Sequence, residues 1–408
     1  PDEHQRQEAD RQEPQHTVVA ADLEIGIDQQ RIEVEDEFGV KGHDGGQIAD
    51  KNHPEDPELD QPQQLPNTDT GPQKHRQRGH DPKHFMANGT LLPNPEQPRR
   101  VEVLKAGAEA AGCRIEAPAD RGMGPIAALH SAEYLGFLRT IHDRWRRIPG
   151  AGAEVIPNIH PDRRSASYPR SAVGQAGYHQ ADTACPISTG TWQAAYWSAQ
   201  TALSAAAAVL EGERAAYALS RPPGHHAFGD LAGGFCFLNN SGIAAEWLRM
   251  QGKRVAILDV DVHHGNGTQG IFYARADVLT VSIHADPARF YPFFWGHAHE
   301  RGEGLGLGAN LNLPLPRGTG DDDYMRTLDR ALERVADYGT DVLIVALGLD
   351  AHENDPLKGL AVTTPGFQRM GAAIAATGLP LVLVQEGGYL SDDLGHNLTR
   401  FLEGVQKG

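Results

Sequence analysis

The sequence predicts an α/β protein: a single three-layer α/β/α domain whose sheet is mainly parallel and doubly wound. Three observations lead to this prediction. Five short, continuously apolar runs lie between residues 215 and 385, helical segments separate them, and reactive polar residues follow four of them. Chains that alternate strands and helices in this way form parallel sheets with a helical layer on each face.

Residues 1–79 form a polar, acidic extension before this domain. They hold 19 Asp and Glu residues against 8 Lys and Arg, and Phe38 is their one aromatic residue. Such a segment buries too little apolar surface to offset the entropy lost on ordering, so we expect it to be disordered or foreign to the domain. A hairpin from the alternating residues 23–34 is the alternative. The folded domain is expected to span residues 80–408.

The five apolar runs are predicted to be buried strands, because they do not alternate with polar residues and are rich in β-branched side chains. They occupy residues 215–220, 255–260, 278–283, 342–347 and 381–385. Helices are predicted at residues 192–210, 242–250 and 324–338. The last of these carries Leu328, Leu332 and Val335 at the spacing of one helix face.

The composition excludes several classes of protein. The chain has 408 residues and a formal net charge of -17, and nucleic acids and anionic membranes bind basic surfaces. Cys113, Cys185 and Cys236 are far apart, which argues against a disulfide framework or a zinc finger. The sequence shows no apolar run long enough to span a membrane and no signal-peptide pattern. We therefore expect a cytoplasmic protein.

Reactive residues follow four of the predicted strands. The strings are RPPGHH after the first strand, DVDVHHGNG at the end of the second, GLD after the fourth and EGGY after the fifth. In open α/β sheets, ligands bind at the carboxyl ends of the strands. These strings are therefore predicted to meet at one edge of the sheet and to form the functional site.

Asp261, His263 and Asp350 are candidate metal ligands. Asp261 and His263 are two residues apart on an extended segment, so their side chains can point to the same side. Two carboxylates and one imidazole suit zinc or ferrous iron and leave a position open for water and substrate. The alternative for an isolated DxH motif is that its Asp and His form a surface pair or a contact in the core. The presence of reactive residues at four strand ends favours the metal site.

His225 and His226 are candidate proton carriers, because a histidine beside a metal can take a proton from water and give it to a leaving amine. Asp259 and Asn266 are candidate partners that orient the two rings. A carboxylate partner favours the imidazolium more than an amide does, so the two histidines are expected to differ in pKa and in role. A solvated loop is the alternative for adjacent histidines.

Tyr389 follows two glycines, which suggests that backbone lies close to the ligand and that the phenol donates a hydrogen bond to a developing oxyanion. Two further segments carry aromatic residues that can line a narrow substrate pocket. The alternative is that they belong to the hydrophobic core, as most aromatic residues do. These segments contain Gly234, Phe235 and Tyr291.

Together these motifs resemble the histone deacetylases and their bacterial relatives. The resemblance covers residues 80–408 and rests on RPPGHH, GGFCFLNN, ILDVDVHHGNGT, GLDAHENDP and EGGY, in the family's order. It implies an arginase/deacetylase-like fold for a catalytic domain at residues 80–408. It also implies a zinc-dependent amidohydrolase that converts an acetyl-amide to acetate and a free amine.

The resemblance also implies a role for each site residue. The zinc ligands are Asp261, His263 and Asp350. The proton carriers are His225, paired with Asp259, and His226, paired with Asn266, with His226 as the principal general base and acid. Tyr389 polarises the acetyl carbonyl, and Gly234, Phe235 and Tyr291 line the substrate channel. A structural cation, usually potassium, is implied near Asp259, Asp261, His263, Ser282 and Ile283.

Residues 143–192 resemble an insertion of the acetylpolyamine amidohydrolases. In those enzymes the insertion builds a dimer interface, and this interface narrows the entrance to the active site. This implies a homodimer and small acetylated amine substrates. Val173 and Ala184 stand where some relatives have acidic residues that attract ammonium groups, and Asp182 or a carboxylate near Glu96 is the candidate substitute. A protein or peptide acetyl-lysine deacetylase, a manganese ureohydrolase and a non-catalytic acetyl-ligand binding module stay open as alternatives.

Overall fold

In the part of the chain that the structure describes, the central sheet contains eight strands, all parallel. This computed structural model describes residues 79–162 and 167–408, together with the strand at 17–20. Within this part of the chain the strands are β1 (Thr17–Ala20), β2 (His84–Ala87), β3 (Thr90–Pro93), β4 (Arg114–Glu116), β5 (Ala215–Leu219), β6 (Val255–Asp259), β7 (Val278–Ala285), β8 (Asn310–Leu315), β9 (Val342–Leu347) and β10 (Leu381–Gln385). The sheet order is β4-β1-β5-β10-β9-β6-β7-β8, and β2 and β3 form a separate antiparallel hairpin.

Helices cover both faces of the sheet. In the described residues they are α1 (Arg99–Ala110), α2 (Gly124–Ala127), α3 (Ala132–Trp145), α4 (Ala172–His179), α5 (Thr191–Leu210), α6 (Asn240–Met250), α7 (Asn266–Phe272), α8 (Asp321–Asp337), α9 (Thr364–Ala375) and α10 (Leu394–Lys407). Among these described helices, none combines the length and the apolar character that spanning a membrane requires.

Successive strand residues point to opposite faces, so each strand contributes to two apolar layers. On one face Leu258 packs in a cluster with residues of α1, α8, α9 and α10. On the other face Ile257 packs in a cluster with residues of α5, α6 and α7. Every residue of β5, β6, β7, β9 and β10 is buried. The predicted three-layer fold is confirmed.

The five predicted strands are present with small changes at their ends. β9 and β10 have the predicted bounds, β5 and β6 end one residue early, and β7 continues to Ala285. The helix predicted at 324–338 begins three residues earlier, at Asp321. Its first turn consists of acidic residues, which stabilise the amino terminus of a helix. Because this turn contains no apolar residues, the apolar periodicity of the sequence did not predict that it is helical.

Three strands of the sheet were not predicted as strands: β8, β1 and the three-residue edge strand β4. β8 has the sequence NLNLPL, and Asn and Pro are uncommon inside strands. It lies at the sheet edge, where a proline is tolerated because its nitrogen need not donate. β1 falls within the predicted acidic extension, yet it lies between β4 and β5 and pairs with both. The proposed hairpin at 23–34 lies outside the described residues, and the boundary at residue 79 stays a prediction.

The sheet order brings the reactive strings together. β5, β10, β9 and β6 are consecutive neighbours, and all four are parallel. Their carboxyl ends therefore lie side by side at one edge, and the four strings that follow them meet there.

Candidate active site

Asp261, His263 and Asp350 converge beyond the carboxyl ends of β6 and β9. Their candidate ligand atoms all lie within 4.8 Å of one another, and all three residues are buried. His263 Nδ1 lies 3.2 Å from Asp261 Oδ1 and 3.2 Å from Asp350 Oδ2. The structure thus places the three predicted ligands in one cluster.

The surroundings of this cluster fit a divalent cation. Asp261 Oδ2 accepts a hydrogen bond from the Gly387 amide at 2.8 Å, and Asp350 Oδ1 accepts one from the Val262 amide at 3.0 Å. Asp350 Oδ2 is buried, and His263 Nδ1 lies 3.2 Å from it. A Cβ at Gly387 would collide with this oxygen and lie 2.5 Å from Asp261 Oδ2. Backbone amides therefore orient the carboxylates, and a glycine keeps the space between them open.

Electrostatics favour a positive charge at the same point. Burial alone would lower the pKa of His263, but hydrogen bonds to Asp261 and Asp350 raise it to about 9. Metal binding requires neutral imidazole, so it should release this proton.

His225 and His226 have different partners. His225 Nδ1 lies 2.9 Å from Asp259 Oδ2, and His226 Nδ1 lies 2.7 Å from Asn266 Oδ1. Burial would lower the pKa of His225, but Asp261 and Asp259 raise it to about 10. Burial lowers the pKa of His226 well below its usual value, and the positive charge of its histidine neighbours adds to this effect. His225 is therefore an imidazolium, and His226 is a neutral imidazole able to accept a proton.

Glu386 holds the turn that presents the two histidines. Its Oε2 accepts hydrogen bonds from the amides of Gly224 at 2.6 Å and His225 at 3.0 Å, and its Oε1 accepts one from Ser241 Oγ at 3.0 Å. Burial raises the pKa of Glu386 to about 7. The turn after β5 is thus tied to the end of β10 by a side chain that the sequence analysis did not select.

Tyr389 is buried at the same edge, with 4% of its surface exposed. Its amide donates to Asp355 Oδ2 at 2.9 Å, and the guanidinium carbon of Arg100 lies 5.0 Å from its ring centroid. Arg100 also donates to the Gly388 carbonyl at 2.6 Å. Burial raises the pKa of Tyr389 well above its usual value, so the phenol keeps its proton and can act as a donor.

Aromatic rings surround the histidines and Tyr389. The Tyr291 ring lies 4.9 Å from His226, and the Phe235 ring lies 5.9 Å from Tyr389. Phe290 stacks on His263 with a centroid distance of 4.9 Å and an interplanar angle of 7°. Gly234 has a φ of +49°, and a Cβ there would collide with the His226 ring. The wall residues predicted from sequence therefore contact the proton carrier and Tyr389.

Among the residues predicted to surround a structural cation, Asp259 and Ser282 are cross-strand partners on β6 and β7. Both also line a small polar cavity, together with Thr280, Asn310 and Asn312. Ile283 is buried next to Ser282 on β7. Asp261 and His263 take part in the ligand cluster described above.

A family model of the histone deacetylase domain matches residues 94–405. The chain belongs to this family. The acetylpolyamine amidohydrolase of Burkholderia pseudomallei is 48% identical over 326 residues, which cover 80% of this chain and 95% of the relative. Acetylpolyamine amidohydrolase 1 of Pseudomonas aeruginosa is 44% identical and covers 79% of this chain and 94% of its own length.

A solved structure supports the same assignment. The crystal structure of the acetylpolyamine aminohydrolase from Burkholderia pseudomallei aligns with a TM-score of 0.78, covering 81% of this chain and 96% of that one. The resemblance seen in the sequence motifs and the prediction of a hydrolytic enzyme are thereby confirmed.

Proposed function

We propose that the chain hydrolyses acetylated polyamines or similar small acetyl-amines to acetate and a free amine. The observation that carries this proposal is the position of three elements at one edge of the sheet: the ligand cluster, the neutral His226, and the protonated Tyr389. The substrate class is supported by two relatives named acetylpolyamine amidohydrolases, 48% and 44% identical over most of the chain.

Asp261, His263 and Asp350 would hold one divalent ion, for which zinc is our proposal and ferrous iron the alternative. When bound, the ion supplies Lewis-acid polarisation of the amide carbonyl and of water. The close approach of the three ligand side chains and the open space at Gly387 fit such an ion.

The chain's own residues then carry the protons and stabilise charge. Asn266 Oδ1 accepts from His226 Nδ1, so His226 Nε2 is free to take a proton from the attacking water and to deliver it to the leaving nitrogen. The Tyr389 hydroxyl donates to the oxygen of the acetyl group as negative charge develops there. His225, held as an imidazolium by Asp259, adds a fixed positive charge beside the ligand cluster.

Three other readings of the site are weaker. A binuclear manganese ureohydrolase needs more ligands than the three in this cluster, and the second group of metal-ligating side chains in the described residues uses Glu386, whose oxygens already accept hydrogen bonds. A non-catalytic binding module has no need for both His226 and Tyr389. A protein or peptide acetyl-lysine deacetylase would use the same chemistry. Only the access of substrates to the site distinguishes it from an acetylpolyamine amidohydrolase.

Further properties belong to the same proposal. We infer a homodimer through residues 143–192, which would narrow the entrance and exclude a folded protein surface. We also infer structural potassium near Asp259 and Ser282, supported by the polar cavity that both residues line. A cytoplasmic location stays a prediction from composition.

The test is a comparison of substrates with the zinc-loaded protein. Acetylputrescine and an acetyl-lysine peptide are supplied in competition, and acetate and free amine are measured. We expect a higher kcat/KM for acetylputrescine and a dimer in sedimentation. A monomer that deacetylates the peptide faster would replace the polyamine proposal by the acetyl-lysine alternative.

A further inference from the structure

Asp355 is a buried carboxylate in the loop between β9 and α9, and it is 2% exposed. The same loop carries the candidate metal ligand Asp350. Asp355 Oδ2 accepts a hydrogen bond from the Tyr389 amide at 2.9 Å, and its Oδ1 accepts one from the Leu357 amide at 2.8 Å. Asp355 therefore connects the loop of a metal ligand to the residue that is proposed to polarise the acetyl carbonyl.

The surroundings of Asp355 explain why an acid occupies this position. Both groups that donate to it are backbone amides, and no cationic side chain of the described residues forms a salt bridge with it. Burying a carboxylate in this way costs free energy. A neutral asparagine of the same shape has one acceptor oxygen and would turn an NH2 group toward one of the two amides. The carboxylate is therefore the side chain of this shape that can accept from both amides.

The Tyr389 phenol depends on its backbone for its position. Its hydroxyl forms no hydrogen bond with the described residues, so no partner fixes the end of the side chain. Two residues earlier, the Gly387 amide donates to the metal ligand Asp261 at 2.8 Å. The segment that carries the phenol is thus held by Asp261 at its start and by Asp355 at Tyr389 itself. These two contacts set the distance between the phenol and the ligand cluster.

We propose that Asp355 is a positioning residue, which holds the Tyr389 phenol where it can donate to the oxygen of the acetyl group. This inference rests on the proposed function and adds a residue to the same reaction. A hydrogen bond weakens steeply when its donor loses alignment. A displacement of about 1 Å within an active site can lower a rate by about 100-fold. Loss of the contact at the amide should therefore reduce the contribution of Tyr389 while the metal ligands stay in place.

The test is a double-mutant cycle with the zinc-loaded enzyme and acetylputrescine. Asp355→Asn should lower kcat roughly 10-fold, because a displaced phenol keeps only part of its effect on the developing oxyanion. KM should stay within about twofold of wild type, since this interaction forms only in the transition state, and zinc content should not change. In Tyr389→Phe the hydroxyl is already absent, so adding Asp355→Asn should lower kcat by less than about twofold.

Asp341→Asn is the matched control. Asp341 also accepts a hydrogen bond from a backbone amide, that of Arg254 at 2.8 Å, but it lies beside the amino end of β9, at the opposite edge of the sheet. This variant should leave kcat within about twofold, both in the wild type and in Tyr389→Phe. If Asp355→Asn is insoluble, Asp355→Ala takes its place in the cycle, because water can fill the space and accept from the two amides.

The outcomes separate a positioning role from a structural one. If the Asp355 variant lowers kcat in Tyr389→Phe as much as in the wild type, the carboxylate acts on the loop of Asp350 or on the fold, and the inference is overturned. Loss of zinc in the single variant, an unchanged kcat, or insolubility of both Asp355 variants would overturn it as well, with the amidohydrolase intact. If the wild type does not hydrolyse acetylputrescine, the proposed function itself fails.

Discussion

Replacing Tyr389 by phenylalanine removes one hydroxyl group and should leave the rest of the site in place. The ring is 4% exposed and packs against Phe235 at 5.9 Å and Arg100 at 5.0 Å, and its amide is held by Asp355. None of these contacts uses the hydroxyl. The variant therefore isolates the contribution of one hydrogen-bond donor to the developing oxyanion.

The size of the effect follows from that single donor. One oxyanion donor in a buried site is worth about 3–4 kcal/mol, which corresponds to a fall in kcat of roughly 10²–10³. The assay measures kcat with acetylputrescine and zinc content on the same samples. Zinc content should not change, because Tyr389 is outside the ligand cluster.

A matched control is Tyr338→Phe. Its hydroxyl donates to the Ala276 carbonyl at 2.9 Å, at the amino edge of the sheet, so kcat should stay within about twofold of wild type. An unchanged kcat in Tyr389→Phe would remove this residue from the mechanism. A loss of zinc in that variant would show that its effect is structural.

Three other predictions follow. His226→Ala should lower kcat at least as much as Tyr389→Phe, because it removes the proton acceptor, and added imidazole should restore part of the rate. His130→Gln should flatten the acid dependence of the free energy of unfolding. Burial lowers the pKa of His130 in the folded protein to about 4. Between pH 6.5 and pH 4 the imidazole therefore binds a proton in the unfolded chain but not in the folded one. The free energy of unfolding should fall by about 1.4 kcal/mol per pH unit over this range. Urea titrations at pH 6 and 4.5 measure this pH dependence in the wild type and in His130→Gln. An equal pH dependence in the two proteins would contradict the lowered pKa of His130. Deletion of residues 1–16 should leave the melting temperature near that of the full chain. Deletion of residues 1–79 should lower the melting temperature, because it removes β1 from between β4 and β5. Equal melting temperatures for the two deletions would show that β1 is dispensable.

The sequence predicted those parts of the fold that depend on local pattern. The runs that form β9 and β10 are uniformly apolar, so their bounds were predicted to the residue. β8 was missed because its asparagines and proline hide a strand whose pairing with β7 is a long-range property. β1 was missed because its surroundings are acidic and only the complete sheet shows where it pairs.

The candidate site divides in a similar way. Residues whose chemistry is visible in a short string, such as Asp261 and His263, could be selected from sequence alone. Glu386 lies in the string EGGY, yet its contacts with Gly224 and His225 join segments about 160 residues apart along the chain. Arg100 acts through a backbone carbonyl 288 residues away. Contacts of this kind leave no periodicity or spacing in the sequence, so only the folded structure reveals them.

The most direct test of the proposed metal site is a zinc titration of the metal-stripped protein, with hydrolysis of acetylputrescine as the readout. Activity should rise with added zinc and saturate at one ion per chain, because Asp261, His263 and Asp350 form one ligand cluster. The variant Asp261→Ala should neither retain zinc nor recover activity. Saturation at two ions per chain, or full activity in Asp261→Ala, would contradict the assignment of this site.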